Sequence, residues 1–360
     1  MTLPLLERVP LAPYTTLGLG GPARYFHECR TEAELRQALT AARERRLRVQ
    51  IIGGGSNLVV ADAGFPGLVL KVAIGGVTHR DAADGVEVVA GAGVEWDALV
   101  RQAVERGCAG IECLSGIPGT VGATPIQNVG AYGQEIADSL VSVRCLERAS
   151  LAEVVFTHDQ CEFVYRGSRF KGRDRDRYVV LAVSLRLRRD TLPQVRYAEL
   201  AQAVSRHGGL EQLEPGAAVR VVRHTVLELR RRKSMVLDPA DPNARSVGSF
   251  FVNPVLPTGA FDELVRRWRD AGEVDPIPTF PADGRVKVPA AWLIEHAGFA
   301  KGYRQGGVGI STRHALALVN HGGTTTELLA LAQSIDRAVY ERFGVRLERE
   351  PVVVEYVFFY

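Results

Sequence analysis

Apolar positions along the chain follow two spacings, helical in some stretches and alternating in others, and this mixture predicts an α+β protein. Thr31-Glu32-Ala33-Glu34 has the form of a capping box, and Leu35, Ala38, Leu39 and Ala42 then fall on one helical face. Val49–Ile52 reads as a short buried strand running into a glycine loop, a unit of a small α/β domain. Residues 86–90 read as a strand and Trp96–Glu105 as a helix ended at Gly107. From 141 to 187 the pattern is β, clearest over 179–187, and Arg186, Arg188 and Arg189 read as outward positions on a sheet edge. Residues 191–232 are helical in pattern and rich in arginine, and 238–243 form a turn or linker. Two amphipathic helices are expected at 261–271 and 326–343. The second carries Leu328, Leu329, Leu331, Ala332, Ile335 and Val339 as a stripe that packs on a sheet.

With 360 residues the chain is long enough for two or three domains. A composition 46% hydrophobic and 24% charged is that of an ordinary globular protein. The apolar runs are too short to span a bilayer, and residues 1–4 do not resemble a secretory leader, so no membrane association and a cytoplasmic location are expected. A net charge of +3 gives no reason to invoke nucleic acid. The five cysteines are scattered and odd in number, which favours reduced, buried thiols. Neither they nor the eight histidines show the paired spacing of a metal site, so none is expected.

Candidate chemistry begins with glycine. Ile51-Ile52-Gly53-Gly54-Gly55-Ser56-Asn57-Leu58 is followed by Ser115-Gly116-Ile117-Pro118-Gly119-Thr120-Val121-Gly122 and Gln127-Asn128-Val129-Gly130-Ala131-Tyr132-Gly133. Such loops let backbone N–H groups cradle a diphosphate. They fit neither the P-loop nor the Rossmann spacing, so two cradles point to an extended dinucleotide held by another fold. In 248–254 a Gly-Ser pair precedes two phenylalanines. It is no nucleophile elbow, because Phe251 stands where that motif needs glycine, and a serine hydrolase is disfavoured. In 165–171 an arginine beside a tyrosine suits a carboxylate clamp or, equally, a surface loop. Residues 347–350 offer glutamates.

These segments, in this order, resemble the UDP-N-acetylmuramate dehydrogenase family, also called UDP-N-acetylenolpyruvoylglucosamine reductases, in its type I subgroup. The likeness also takes in Trp-Leu-Ile-Glu at 292–295 and the segment 298–302, and it covers nearly the whole chain. It implies a vanillyl-alcohol-oxidase/PCMH-type two-part FAD-binding fold plus a C-terminal α/β substrate-binding domain. The domains fall at residues 1–74, to which a strand in 345–360 returns, at 75–232 with a closing loop near 191–205, and at 240–342. It implies noncovalent FAD, NADPH as cosubstrate, and reduction of UDP-N-acetylglucosamine enolpyruvate to UDP-N-acetylmuramate, a peptidoglycan precursor, by a monomer acting on small molecules.

By the same resemblance Ser249 is the proton donor, and Arg166 and Glu350 stabilise the enol form. Tyr132, Tyr165, Tyr197, Lys233, Asn253 and His314 meet the substrate. The flavin nucleotide is met by Ile52, Gly53, Gly54, Gly55, Ser56, Asn57 and Leu58, and by Ser115, Gly116, Ile117, Pro118, Gly119, Gly122 and Ala123. Asn128, Gly130, Ala131, Gly133, Val183 and Arg230 complete that set. Two positions depart from the subgroup: Phe280 stands where a tyrosine is common, and His314 where a glutamine is often found. A flavin-linked oxidase of the same superfamily and a non-catalytic binder of FAD or a nucleotide sugar are the competing readings. The joint presence of Ser249, Arg166 and Glu350 argues against the second.

Overall fold

The computed structural model describes residues 4–82, 85–206 and 208–354. The chain forms two compact units: Met1–Val9, Ala23–Gly54 and Pro66–Val236 make the first, and Pro10–Pro22, Gly55–Phe65 and Leu237–Tyr360 the second.

In the first unit the helix Glu32–Glu44 starts as the sequence predicts. The Thr31 hydroxyl accepts from the Glu34 N–H, and the Glu34 carboxylate accepts from the Thr31 N–H. Leu35, Ala38, Leu39 and Ala42 are buried in a core that also holds Leu68 and Leu70. Each such leucine contributes about 1.5–3 kcal/mol relative to an exposed one. Val49–Ile52 runs parallel to Phe65–Val72, with Ile52 opposite Lys71. That pairing fixes the point where the first glycine stretch leaves the sheet.

A five-stranded antiparallel sheet follows, in the order Glu153–Thr157, Leu140–Glu147, Tyr178–Leu187, Gly85–Gly91, Val77–Ala82. Tyr178–Leu187 is therefore the central strand, and the expectation that Arg186 marks an edge is wrong. Arg186 is exposed because Leu185 and Leu187 on either side of it face the core, so alternation alone accounts for the outward arginine. Strand order depends on pairings distant in sequence, which a single-strand pattern does not record. The arginine-rich stretch resolves into the helices Ala198–Ser205 and Pro215–Arg232, which share a small core of Cys113, Leu200, Val204, Val222 and Val226.

The second unit contains a four-stranded sheet in the order Ser246–Ser249, Ala317–Asn320, Val308–Ile310, Arg304–Gln305. A three-stranded sheet orders Val255–Leu256, Arg285–Lys287 and Phe280–Ala282, and Val352–Val354 lies parallel to Leu58–Val60. The helices Thr258–Asp270 and Thr325–Phe343 start earlier than the apolar spacing predicts. The second is fixed by a capping box of Thr324 and Glu327 and by Asp62, whose carboxylate accepts from the N–H groups of Thr325 and Thr326. Burial pushes the Asp62 carboxyl up, but a hydrogen bond from the Thr326 hydroxyl, together with these N–H groups, outweighs it and holds the group below its ordinary range. Leu328, Leu331, Ile335 and Val339 join Leu17, Val59, Phe250 and Phe251 in this unit's core.

Candidate active site

In the first unit the glycine stretches come together. Gly53 lies against Thr120, and Gly54 lies so close to Gly119 that an added Cβ would stand 2.8 Å from its Cα. A side chain at 54 would close the cradle, which is the physical reason for glycine there. The second stretch is anchored at both ends. Trp96 N–H donates to the Gly119 carbonyl at 3.0 Å, and Gly122 N–H donates to that of Ala92 at 2.9 Å. The buried Ser115 hydroxyl donates to the Glu112 carbonyl, while Gly116 N–H donates to Asp97 Oδ1 at 2.6 Å. Asp97 is in turn gripped by Arg223 through two bonds of 2.7 and 2.9 Å. Burial raises the Asp97 carboxyl, but Arg223 and the Gly116 N–H overcome it and leave the group below the usual carboxylate range. Ile117, Pro118 and Gly119 are half-buried and Ala123 is exposed. Val183 is fully buried, paired with Ala90 on one side and Val143 on the other.

Beside this loop sits Arg230. One of its terminal nitrogens donates to the Met235 carbonyl at 2.7 Å, but its Nε is buried with no hydrogen-bond partner among the described residues. That Nε lies 3.4 Å from where a Cβ on Gly116 would stand. Burial pushes the guanidinium down from its ordinary value, yet arginine keeps its proton at neutral pH. An unmet charged donor beside a glycine cradle calls for a buried acceptor. The ring carbonyls and diphosphate of FAD are such acceptors, so these residues fit that cofactor.

The stretch 127–133 carries the next group. Asn128 adopts a positive φ of 46° and is buried. Its amide donates to Glu135 at 2.6 Å and to the Val164 carbonyl at 3.2 Å. Arg166 donates to the Gly130 carbonyl at 2.7 Å, and its guanidinium lies 5.3 Å from the centre of the half-exposed Tyr165 ring. Any side chain at Gly130 would press on Arg166, since a Cβ would stand 3.0 Å from the guanidinium. Ala131 pairs with Gln134 in a two-residue hairpin, and Gly133 takes a φ of 77° against Arg196. Tyr132 packs edge-on to Tyr197 at 5.7 Å, and Lys233 lies 5.9 Å from the Tyr132 ring centre while pairing with Glu199 at 2.7 Å. Three of the expected substrate residues therefore gather at one place. Burial pushes the Tyr132 hydroxyl up to about 12, so it stays a hydrogen-bond donor at neutral pH.

In the second unit Gly55 has a φ of 68°, and a Cβ there would stand 1.8 Å from the Tyr14 carbonyl oxygen. Ser56, Asn57 and Leu58 follow, half-buried. The Asn57 carbonyl accepts from Val352 N–H at 2.9 Å, and its amide reaches the Glu350 carbonyl at 3.4 Å. Glu350 N–H donates to the Phe250 carbonyl at 3.0 Å. The loop 55–58, Glu350 and the residue after Ser249 are thus joined by hydrogen bonds to the backbone. Ser249 ends its strand opposite Ala317, and its hydroxyl lies 3.4 Å from His314 Nε2. Asn253 accepts from Ala290 N–H at 2.9 Å, fixing the start of the helix Ala290–His296. Phe280 is exposed on its short strand.

Asp97, Arg223 and Glu199 play no part in the sequence reading. Asp97 and Arg223 meet across 126 positions, which no local signal records. The five cysteines are buried free thiols, and burial pushes Cys29 and Cys161 up to about 12.

Two family models match the chain: an FAD binding domain over residues 23–150, and the C-terminal domain of UDP-N-acetylenolpyruvoylglucosamine reductase over residues 239–354. A UDP-N-acetylenolpyruvoylglucosamine reductase of Thermobifida fusca is 49% identical, over 98% of this chain and 99% of its own. One of Streptomyces avermitilis is 46% identical, over 97% and 94%. A crystal structure of the reductase from Thermus caldophilus superposes with a TM-score of 0.65 at 26% identity, covering 98% of this chain and 100% of that one. The expected α+β flavoprotein fold and its FAD cofactor stand on these matches. The chain belongs to the UDP-N-acetylenolpyruvoylglucosamine reductase family of flavin-dependent oxidoreductases.

Proposed function

We propose that the chain reduces UDP-N-acetylglucosamine enolpyruvate to UDP-N-acetylmuramate with NADPH, as a monomer in the cytoplasm, on the way to peptidoglycan. The observation that carries this reading is the joining of loop 55–58, Glu350 and the Ser249 strand by hydrogen bonds to the backbone within one unit. A proton-donor hydroxyl and a carboxylate residue are thereby held on one frame.

When bound, FAD would supply the two-electron redox chemistry that links NADPH to the enolpyruvyl double bond. The residues for holding it are 52–58, 115–123, Asn128, Gly130, Ala131, Gly133, Val183 and Arg230, with the unmet Arg230 Nε as a donor to the flavin nucleotide. Negative charge then develops on the carbon side next to the substrate carboxylate, and the site must stabilise it. Arg166 takes that role, oriented by its bond to the Gly130 carbonyl, and Glu350 helps hold the enol form. Ser249 gives its hydroxyl proton to the carbon bearing the carboxylate. Tyr132, Tyr165, Tyr197, Lys233, Asn253 and His314 bind substrate. The pairing of Lys233 with Glu199 means that a substrate anion has to compete for the lysine. Residues 1–74 and 75–232 serve the flavin, and 240–342 serve the sugar nucleotide.

Purified protein should show flavin absorption bands and oxidise NADPH beyond one equivalent per flavin when UDP-N-acetylglucosamine enolpyruvate is added. Absence of substrate-dependent NADPH loss rejects the activity. Ser249→Ala should still be bleached by NADPH, while reoxidation by substrate slows by roughly 10²–10⁴-fold, the range of general acid catalysis. Reoxidation at the wild-type rate removes Ser249 from this role.

A further inference from the structure

Ser249 closes the strand Ser246–Ser249 after a register shift, opposite Ala317. His314 occupies the turn before the strand Ala317–Asn320, where its carbonyl accepts from Ala317 N–H at 3.1 Å. Phe250 N–H donates to the Leu316 carbonyl at 2.7 Å, so backbone bonds on both sides hold the hydroxyl and the imidazole near each other. Phe250 and Phe251, directly after the serine, are fully buried and leave its segment little freedom. The Oγ–Nε2 separation of 3.4 Å is at the long end of hydrogen-bonding distance.

A serine hydroxyl is a poor acid, and after giving up its proton it is left as an alkoxide that must be neutralised. Histidine is the side chain whose proton is exchangeable near neutral pH. We infer that His314 is the positioning and proton-relay partner of Ser249, an inference that rests on Ser249 being the proton donor. In the step, the serine O–H bond breaks as a C–H bond forms at the substrate carbon bearing the carboxylate. The Nε2–H of the imidazolium transfers to the serine oxygen, and the neutral imidazole left behind is reprotonated by solvent. The hydride completing the reduction comes from the reduced flavin.

Charged groups of both signs stand on the segments packed around the pair. Arg313, next to His314, pairs with Asp241 at 3.8 Å. Arg245 precedes the serine strand, and Glu348, Arg349 and Glu350 lie on the segment that bonds Phe250 and Val252.

The test follows reoxidation of prereduced enzyme by substrate in single turnover, between pH 5.5 and 9 by design (about the histidine titration range). The wild-type rate should fall as pH rises and the imidazolium is lost. His314→Gln keeps a hydrogen-bonding amide but carries no exchangeable acid proton. It should slow reoxidation by roughly 10²-fold at neutral pH and abolish the alkaline decline. A His314→Gln enzyme that retains the wild-type pH profile overturns the relay. Ser249→Ala separates the two readings: if it reoxidises at the wild-type rate, the donor assignment falls and the relay with it. If Ser249→Ala is slow while His314→Gln keeps the decline, the relay alone is wrong. Histidine ¹H–¹⁵N spectra of the oxidised holoenzyme give a readout apart from turnover. Ser249→Ala should shift the His314 ring signals and their titration, and unchanged signals overturn the coupling.

Discussion

At the scale of single residues, Arg230 shows how a ligand can be inferred from an unmet need. Its Nε is buried beside the second glycine loop with no hydrogen-bond partner among the described residues, a costly arrangement unless an acceptor arrives. Arg230→Met should therefore weaken FAD binding by roughly tenfold to a hundredfold, the equivalent of about 1.5–3 kcal/mol for a hydrogen bond from a charged donor. Flavin fluorescence on titrating the apoprotein measures this directly, and an unchanged dissociation constant refutes it. The variant also loses the bond to the Met235 carbonyl, so its apoprotein stability is compared alongside. Arg166, Ser249 and Glu350 are singled out by the sequence because their motifs stand in a fixed order. The contact of Ser249 with His314 is not, since it spans 65 positions and depends on two strands pairing. Side-chain type is written in the sequence; side-chain neighbours are set by the fold.

Among the elements, the same division appears. The helix Glu32–Glu44 was legible because its capping box and apolar stripe are local. The start of Thr325–Phe343 was equally available in Thr324 and Glu327, a pattern the apolar spacing alone passes over. The central place of Tyr178–Leu187 was not legible, because strand order is a long-range property. Nor was the clamp that ties the helix Trp96–Glu105 to the glycine loop through Asp97, Arg223 and Gly116. Because the folded Asp97 is held below its unfolded value of about 3.9, its contribution is present above that pH and disappears as pH falls through the folded value. Asp97→Asn should cost about 1.5–3 kcal/mol at pH 7, the range for hydrogen bonds to a charged group. The gap between wild type and variant in urea midpoint should narrow on acidification toward pH 3. A gap that stays constant with pH would assign the effect to packing and not to the carboxylate.

For the whole molecule, the chain builds two units with separate apolar cores from segments that alternate between them. The first glycine stretch is divided accordingly, with Gly53 and Gly54 in one unit and 55–58 in the other. A ligand that binds the folded chain and not the unfolded one stabilises it by mass action, by about 2.7 kcal/mol when its concentration is 100 times its dissociation constant. For a chain of 360 residues that corresponds to a rise of roughly 3–5 °C in unfolding temperature. Apoprotein stripped of flavin should therefore unfold at a lower temperature, and the midpoint should climb steadily as FAD is added back. The slope also tests the cradle, since Gly54→Ala would bring a Cβ to 2.8 Å from the Gly119 backbone and should flatten the response while FAD remains in excess. FMN, which lacks the second phosphate and the adenosine, should move the midpoint less than FAD if the paired glycine loops hold a dinucleotide. Equal shifts with both flavins would confine recognition to the flavin end, and a midpoint indifferent to FAD would refute the assignment of these loops to the cofactor.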